Sequence, residues 1–328
     1  MSQSSQAQFA AYVATLGRGP GRSRALTREE ARTAFGMVLR GEADPHQVGA
    51  FLMLLRFRGE DADEITGMVE AIRAASALGR DSLGVDLDWP SYGAGRTRGA
   101  PWFLLSALAL ARSGVTVLMH GSNDFSSGIA VQDAMAALGL PCATDPAAAA
   151  ADLRSGRFAY LPLRTMAPAA DRLLDMRRLF GLRSPVNTAV RLLNPANAAF
   201  GVDGVFHPPY IDVHLGVAER MGRRRLLVLK GGGGEAERVP LKAAMAALWD
   251  REAGRRELAL PAVEGLRPHP PASDTPAGMA AVWNGETTPE TPLATIQATI
   301  ALALLALGRT DQPAAAMDLA GAVWAQRR

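Results

Sequence analysis

Residues 115–139 read V-T-V-L-M-H-G-S-N-D-F-S-S-G-I-A-V-Q-D-A-M-A-A-L-G, and the change of period inside this stretch decides the fold class. Val115–Met119 is a short β-favouring run and His120–Gly128 is a loop of small and hydroxyl residues. Ile129–Leu138 then adopts helical spacing and stops at Gly139. A strand that leads through a loop into a helix is the repeating unit of a parallel sheet, because parallel strands need a crossover connection, usually helical. Phe158–Leu161 and Leu226–Leu229 are further strand candidates. Between them Asp171–Phe180 reads as a helix, with Leu173, Leu174, Met176 and Leu179 apolar and Arg172, Arg177 and Arg178 on other faces. The predicted class is α/β, with a mostly parallel central sheet flanked by helices.

Upstream of Val85 the signals are helical. Thr27 with Glu30, Asp44–Pro45 with Gln47, and Asp61 with Glu64 are three successive helix starts, each with a reciprocal cap. Gly59 and Gly79 stand where the second and third of these helices should stop. Phe51, Leu52 and Leu55, then Ile65, Met68, Val69 and Ile72, recur at helical spacing. A small N-terminal helical domain over 1–82 is expected, joined by helices from about 165–195. A larger α/β domain takes 83–164 and 196–328. Arg267–Gly278, rich in Pro, Ser, Asp and Gly, reads as a surface loop or linker, and Pro292–Leu307 as a buried helix.

Composition narrows the function classes. With 328 residues, 48% hydrophobic and 20% charged, the chain can bury a large core. Cys142 is the only cysteine, which excludes an internal disulfide and a cysteine-based zinc cluster. Trp102–Ala111 is too short to span a bilayer, and Ser2–Gln6 lacks the basic and apolar regions of an export signal, so a cytoplasmic protein without membrane contact is expected. The net charge of +3 alone does not imply a nucleic-acid partner. Its distribution says more: residues 1–90 carry ten arginines against twelve carboxylates, whereas 151–191 carry eight arginines against three.

Three loops and a basic cluster are candidates for chemistry. Gly93-Ala94-Gly95-Arg96-Thr97-Arg98-Gly99 has glycines near phosphate-loop spacing ahead of a helix, and is either an anion cradle or a plain flexible loop. His120-Gly121-Ser122-Asn123-Asp124-Phe125-Ser126-Ser127-Gly128 follows a strand, and lines a ligand crevice or simply caps the next helix. Lys230-Gly231-Gly232-Gly233-Gly234-Glu235 permits close approach of a backbone or ligand, or forms a tight turn. Glu235 and Glu237 either share a metal or are solvated. Arg220, Arg223, Arg224, Arg225 and Lys230 form a basic cluster, read as a solvated helix end or as phosphate contacts. His46, His207, His214 and His269 are dispersed, lack metal-ligand spacing, and read as structural or surface residues.

Taken together these segments resemble the anthranilate phosphoribosyltransferase family and, through it, the pyrimidine nucleoside phosphorylases. The landmarks are the Glu64–Ala74 helix, His120-Gly121, Arg177-Arg178-Leu179-Phe180-Gly181-Leu182-Arg183, Leu193-Asn194-Pro195-Ala196 and Gly204-Val205-Phe206-His207-Pro208. The resemblance implies a cleft for phosphoribosyl diphosphate and magnesium, but most positions that would serve it differ. The family's G-T-G-G-D loop falls on Ser91-Tyr92-Gly93-Ala94-Gly95, and its hydroxyl pair on Phe103 and Leu104. Its K-H-G-N-R segment falls on Met119-His120-Gly121-Ser122-Asn123, and a further lysine on Gly128. The magnesium-binding Asp-Glu pair matches Gly234–Glu235, while Arg177 matches the arginine that binds the anthranilate carboxylate. Each missing preorganised charge is commonly worth about 3–4 kcal/mol of transition-state stabilisation, so losing several lowers rates by orders of magnitude.

Asp88-Trp89-Pro90-Ser91-Tyr92, Pro101-Trp102-Phe103-Leu104-Leu105 and Met119-His120-Gly121 resemble the YbiB-type branch, whose members are homodimers that bind DNA with little sequence preference. The implied function is non-sequence-specific nucleic-acid binding by a catalytically degenerate homodimer, through Arg172, Arg177, Arg178, Arg183, Arg223, Arg224, Arg225 and Lys230. Gly93, Gly95, His120, Gly121, Ser122, Asn123, Ser126 and Arg177 would be a vestigial phosphate and substrate site, with no catalytic residue, metal or cofactor. The alternative is a phosphoribosyltransferase or nucleoside phosphorylase with an altered substrate, dependent on magnesium.

Overall fold

The computed structural model describes residues 3–19, 21–76, 83–93, 97, 99–122, 124 and 127–327, leaving aside the side chain of Ser273. Gly79, one of the expected helix stops, lies outside these. In chain order the first elements are α1 (Gln3–Gly17), α2 (Arg28–Leu39), α3 (Pro45–Arg58), α4 (Ala62–Ala75), β1 (Leu87–Ser91), α5 (Phe103–Arg112), β2 (Val117–Gly121), α6 (Val131–Ala137), α7 (Pro146–Gly156) and β3 (Phe158–Pro162). There follow α8 (Leu163–Met166), α9 (Pro168–Asp175), α10 (Arg177–Phe180), α11 (Val186–Arg191), β4 (Phe200–Val205), α12 (Tyr210–Arg220) and β5 (Arg225–Lys230). The chain closes with β6 (Ala244–Asp250), β7 (Gly254–Leu260), α13 (Pro276–Asn284), α14 (Glu290–Ala306) and α15 (Pro313–Ala325).

The chain divides into two compact units. The helical unit comprises Met1–Leu78, Leu163–Leu193 and Asp212–Met221. All three predicted capping boxes form, at Thr27, Asp44 and Asp61. Glu64 serves two starts at once, since its carboxylate accepts from Asp61 N at 3.1 Å and from Leu26 N at 2.9 Å. Burial pushes its pKa up. Gly67 lets α2 and α4 approach closely, because a Cβ there would stand 2.3 Å from the Arg28 carbonyl oxygen. Phe9 of α1 and Phe51 of α3 pack with ring centroids 5.3 Å apart. Two details differ from the sequence reading. Asp171–Phe180 is not one helix, for α9 starts at Pro168 and the chain turns at Met176 before α10. Asp212–Met221 belongs to the helical unit, where Arg220 forms a two-pronged ion pair with Asp63 at 2.7 and 3.0 Å. That partner lies 157 residues away, so no local pattern announces it.

The larger unit holds a seven-stranded sheet of order β3-β2-β1-β4-β5-β6-β7. Strands β1 to β5 are parallel, and β6 and β7 add an antiparallel edge. The predicted strand at Val115–Met119 is shifted to Val117–Gly121, because Thr116 is bound at the mouth of β1: its carbonyl accepts from Asp86 N and Leu87 N, and its N–H donates to Asp86 Oδ2. His120 is therefore a strand residue and not a loop residue. Pro90 lies in a central strand, which is tolerated because β4 pairs with β1 only at Leu87 and Asp88. On one face of the sheet α5 is buried along its length, with Phe103 stacked near Trp89 and Ser106 Oγ donating to the Ile296 carbonyl of α14. Strand order reverses between β1 and β4, and the carboxyl ends flanking such a switch point form the crevice where open α/β sheets place ligands. Among the described residues no helix is long and apolar enough to cross a membrane.

Candidate functional site

The carboxyl ends of β1 and β2 meet without space between them. A Cβ on Gly121 would stand 1.6 Å from the Ser91 carbonyl oxygen, so only glycine fits there. Beneath this contact runs a buried polar chain. His120 Nδ1 lies 3.1 Å from the Tyr92 hydroxyl and its Nε2 lies 3.2 Å from Asp88 Oδ1. The other Asp88 oxygen accepts from Arg223 Nη2 at 2.9 Å. Arg223 reaches it by crossing Gly201, where any Cβ would come within 2.1 Å of the guanidinium. Burial alone would raise the Asp88 pKa, but the Arg223 guanidinium and the His120 ring outweigh it and hold the carboxyl below its ordinary value. His120 is sealed at 0% exposure, so the expected substrate-facing histidine is instead part of the sheet's internal ionic chain.

The second feature is the turn into α5. Two of its backbone amides each hold a carboxylate of the protein. Phe103 N donates to Glu237 Oε2 at 3.0 Å, and Ala100 N donates to Asp274 Oδ2 at 2.8 Å. The second Asp274 oxygen lies 2.6 Å from His269 Nε2, and the His269 ring meets Trp102 edge-on with centroids 6.4 Å apart. The Arg267–Gly278 segment is thus more than a linker: it delivers Asp274 and His269 onto the head of α5. A helix start favours negative charge, and these carboxylates satisfy it internally.

The glycine run after β5 folds tightly. Gly233 and Gly234 have φ of 71° and 79°, and a Cβ on Gly231 or Gly204 would lie 1.7 or 2.1 Å from the Glu235 backbone. These glycines therefore serve close backbone approach, the tight-turn alternative. Glu235 and Glu237 are both buried, which overturns the solvated reading. Among the described residues no three His, Cys, Asp or Glu side chains gather to hold a metal ion.

Of the remaining expected site residues, Gly93 is buried and Ser122 Oγ donates to Asp124 Oδ2 at 3.1 Å. Gly95, Asn123 and Ser126 lie outside the described residues. The arginines separate into two groups. In the helical unit Arg172 and Arg178 are exposed and Arg177 and Arg183 half-buried, along a segment that also exposes Leu179 (83%) and Leu182 (56%). In the α/β unit Arg224 and Lys230 are exposed, with Arg224 over the Phe200 ring. Arg223 and Arg225, each 8% exposed, are corrections to the predicted nucleic-acid set. Arg223 is committed to Asp88. Arg225 pairs with Asp250 at 3.1 Å and Asp311 at 2.8 Å, and Arg256 shares Asp311. Sequence reading gave no sign of the contacts that Asp88, Glu237 and Asp274 make, because their partners are 134 to 174 residues distant.

Two family descriptions match this chain: the glycosyl transferase family helical bundle domain over residues 10–76, and the glycosyl transferase family a/b domain over residues 103–324. An anthranilate phosphoribosyltransferase of Methylobacterium nodulans is 33% identical over 302 residues, covering 90% of this chain and 88% of its own. One from Myxococcus xanthus is 35% identical over 235 residues, covering 71% and 68%. The crystal structure of the Thermus thermophilus anthranilate phosphoribosyltransferase is similar with a TM-score of 0.79, 26% identity and coverage of 98% and 95%. The Saccharomyces cerevisiae enzyme in complex with PRPP and Mg gives a TM-score of 0.77 at 17% identity, covering 98% and 94%, a likeness of fold alone.

Proposed function

Because the chain belongs to the glycosyl transferase family of the anthranilate phosphoribosyltransferases, we propose that it is a phosphoribosyltransferase scaffold that has given up transfer chemistry and binds nucleic acid through exposed arginines. The observation that carries the first half is the pair of internal carboxylates on the α5 turn. An incoming diphosphate would have to displace Glu237 and Asp274 from Phe103 N and Ala100 N, and would meet their negative charge while doing so. The replacements at Phe103, Leu104, Met119 and Gly128 point the same way, since none offers a cation or a hydroxyl to a leaving group. Of the two positions that match the magnesium-binding Asp-Glu pair, Gly234 offers no carboxylate and only Glu235 does, so the matched pair is incomplete for magnesium.

The second half rests on the helical unit. Arg172, Arg177, Arg178 and Arg183 lie within twelve residues, and guanidinium groups match phosphate oxygens. Leu179 and Leu182 offer apolar surface in the same segment, Phe180 lies near Gly49 of α3, and α3 also exposes Phe57 (90%). An apolar face of this kind suits a homodimer, which would place two arginine sets in one longer positive track. Arg224 and Lys230 remain available on the α/β unit, whereas Arg223 and Arg225 are withdrawn from it. A cytoplasmic location is in keeping with such a partner.

The test is fluorescence anisotropy with a short labelled oligonucleotide across a salt series. Affinity is expected to fall steeply between about 50 and 200 mM salt, because binding releases counterions from neutralised phosphates. The triple variant Arg172→Gln, Arg177→Gln, Arg178→Gln is expected to bind at least about tenfold more weakly, with a log–log salt slope shallower by about 2–3. Binding that ignores salt, or a triple variant that binds like the parent, contradicts the proposal.

A further inference from the structure

We infer a second, separate binding site at the opposite end of the sheet, with the shape and charge to take an α-amino acid bearing a large apolar side chain. A cavity of about 330 Å³ is lined by the last turn of α5 (Leu108, Arg112), the segment after α6 (Leu138, Leu140), the last turn of α7 (Asp152), the start of β3 (Phe158), and Trp283 of α13. Parallel strands place their amino ends away from the switch-point crevice, and Phe158 opens β3 just as Arg112 closes α5. The cavity therefore has nothing to do with the α5 head or the glycine turns.

Its volume lies at the small end of ligand pockets and is enough for a single amino acid. The lining mixes polar and apolar surface: Leu108, Leu138, Leu140, Phe158 and Trp283 supply the apolar part, and the aromatic wall is held in place. Trp283 meets Trp324 edge-on at 6.0 Å, Arg327 lies 3.9 Å above the Trp324 ring, and Arg327 Nε donates to the Trp283 carbonyl at 3.1 Å. A wall fixed in advance loses little freedom when a ligand arrives. The lining also supplies one cation and one anion. Among the described residues neither the Arg112 nor the Asp152 side chain forms an ion pair or hydrogen bond, although both line the same small cavity. The half-buried Asp152 carboxylate and the exposed Arg112 guanidinium, at the rim of the cavity, are complementary to a zwitterion: its carboxylate meets Arg112, its ammonium meets Asp152, and its side chain enters between Leu108, Leu140, Phe158 and Trp283. A phosphate or a fatty acid would leave Asp152 opposed to negative charge.

The test is calorimetry on the full chain with L-phenylalanine as the probe, beside phenethylamine, which lacks the carboxylate, and 3-phenylpropanoate, which lacks the ammonium. L-Phenylalanine is expected to bind saturably with each one-charge analogue at least about tenfold weaker. Arg112→Met should erase the preference over phenethylamine and leave the preference over 3-phenylpropanoate. Asp152→Asn should do the reverse. Gly156→Phe, at a lining position where an added Cβ meets nothing within 4 Å, should abolish binding while the circular dichroism spectrum stays unchanged. Absence of saturation up to about 10 mM probe, or equal affinity for all three compounds, overturns the inference. So does binding that survives Gly156→Phe.

Discussion

Arg223→Met is expected to destabilise the protein by about 3–5 kcal/mol, because it strips a buried carboxylate of its guanidinium partner. The side chains of Arg223 and Asp88 are 6% and 2% exposed, so water cannot replace what is lost. His120 remains 3.2 Å from Asp88 but cannot also supply the bond that Arg223 makes to the Phe200 carbonyl. The pH dependence has a definite sign. In the parent the folded-state pKa of Asp88 lies below its unfolded value, so this group's contribution is complete above about pH 4 and is lost as pH falls through the lower folded value. In the variant burial acts without Arg223 and raises that pKa, so the destabilisation should shrink on acidification. Urea melts at pH 7 and pH 4.5 read both effects, and the double variant Asp88→Asn, Arg223→Met should recover a substantial part of the loss. A single-variant loss below about 1 kcal/mol would mean that the buried chain is not what holds β1 to β5.

Gly121→Ala should be worse still, costing more than about 4 kcal/mol and leaving little soluble protein. The added methyl would sit 1.6 Å from the Ser91 carbonyl oxygen, and both atoms belong to paired central strands that cannot move apart without breaking the ladder. Gly156→Ala is the matched control: its Cβ meets nothing, and alanine is expected to be neutral or slightly stabilising near the end of α7. Soluble yield and thermal melts by circular dichroism distinguish the two. A well-folded Gly121→Ala protein would show that the β1 and β2 ends are looser than described.

Much of the architecture was legible from local pattern. The three capping boxes mark helix starts because their acceptors lie three residues from their donors, within reach of the sequence window itself. The parallel strands at Phe158 and Leu226 were legible as apolar runs because both faces of such strands are buried. β1 was harder to read, since Pro90 argues against a central strand unless one knows that β4 stops pairing at Asp88. The β6–β7 hairpin was invisible because Ala244-Met245-Ala246-Ala247-Leu248 has the composition of a helix, and only pairing with β5 makes it a strand.

The site was less legible for the same reason on a longer scale. A row of arginines at 220–225 looks like one basic surface, yet Arg220, Arg223 and Arg225 each find a carboxylate remote in sequence, and Arg223 and Arg225 are buried with theirs. The glycines at 231–234 resemble a ligand loop, but their freedom serves the backbone of Glu235. Asp274 lies in a stretch whose composition says only loop, and its role depends on an amide 174 residues earlier.

The most direct measurement follows pyrophosphate release from phosphoribosyl diphosphate with magnesium and anthranilate, by phosphorus NMR at high protein concentration over many hours. The protein is predicted to leave the activated sugar at its spontaneous rate of decay, and calorimetry under the same conditions to register no saturable heat. Magnesium-dependent turnover above that background would mean that Glu237 and Asp274 yield the α5 amides to substrate, and the proposed loss of transfer chemistry would be wrong.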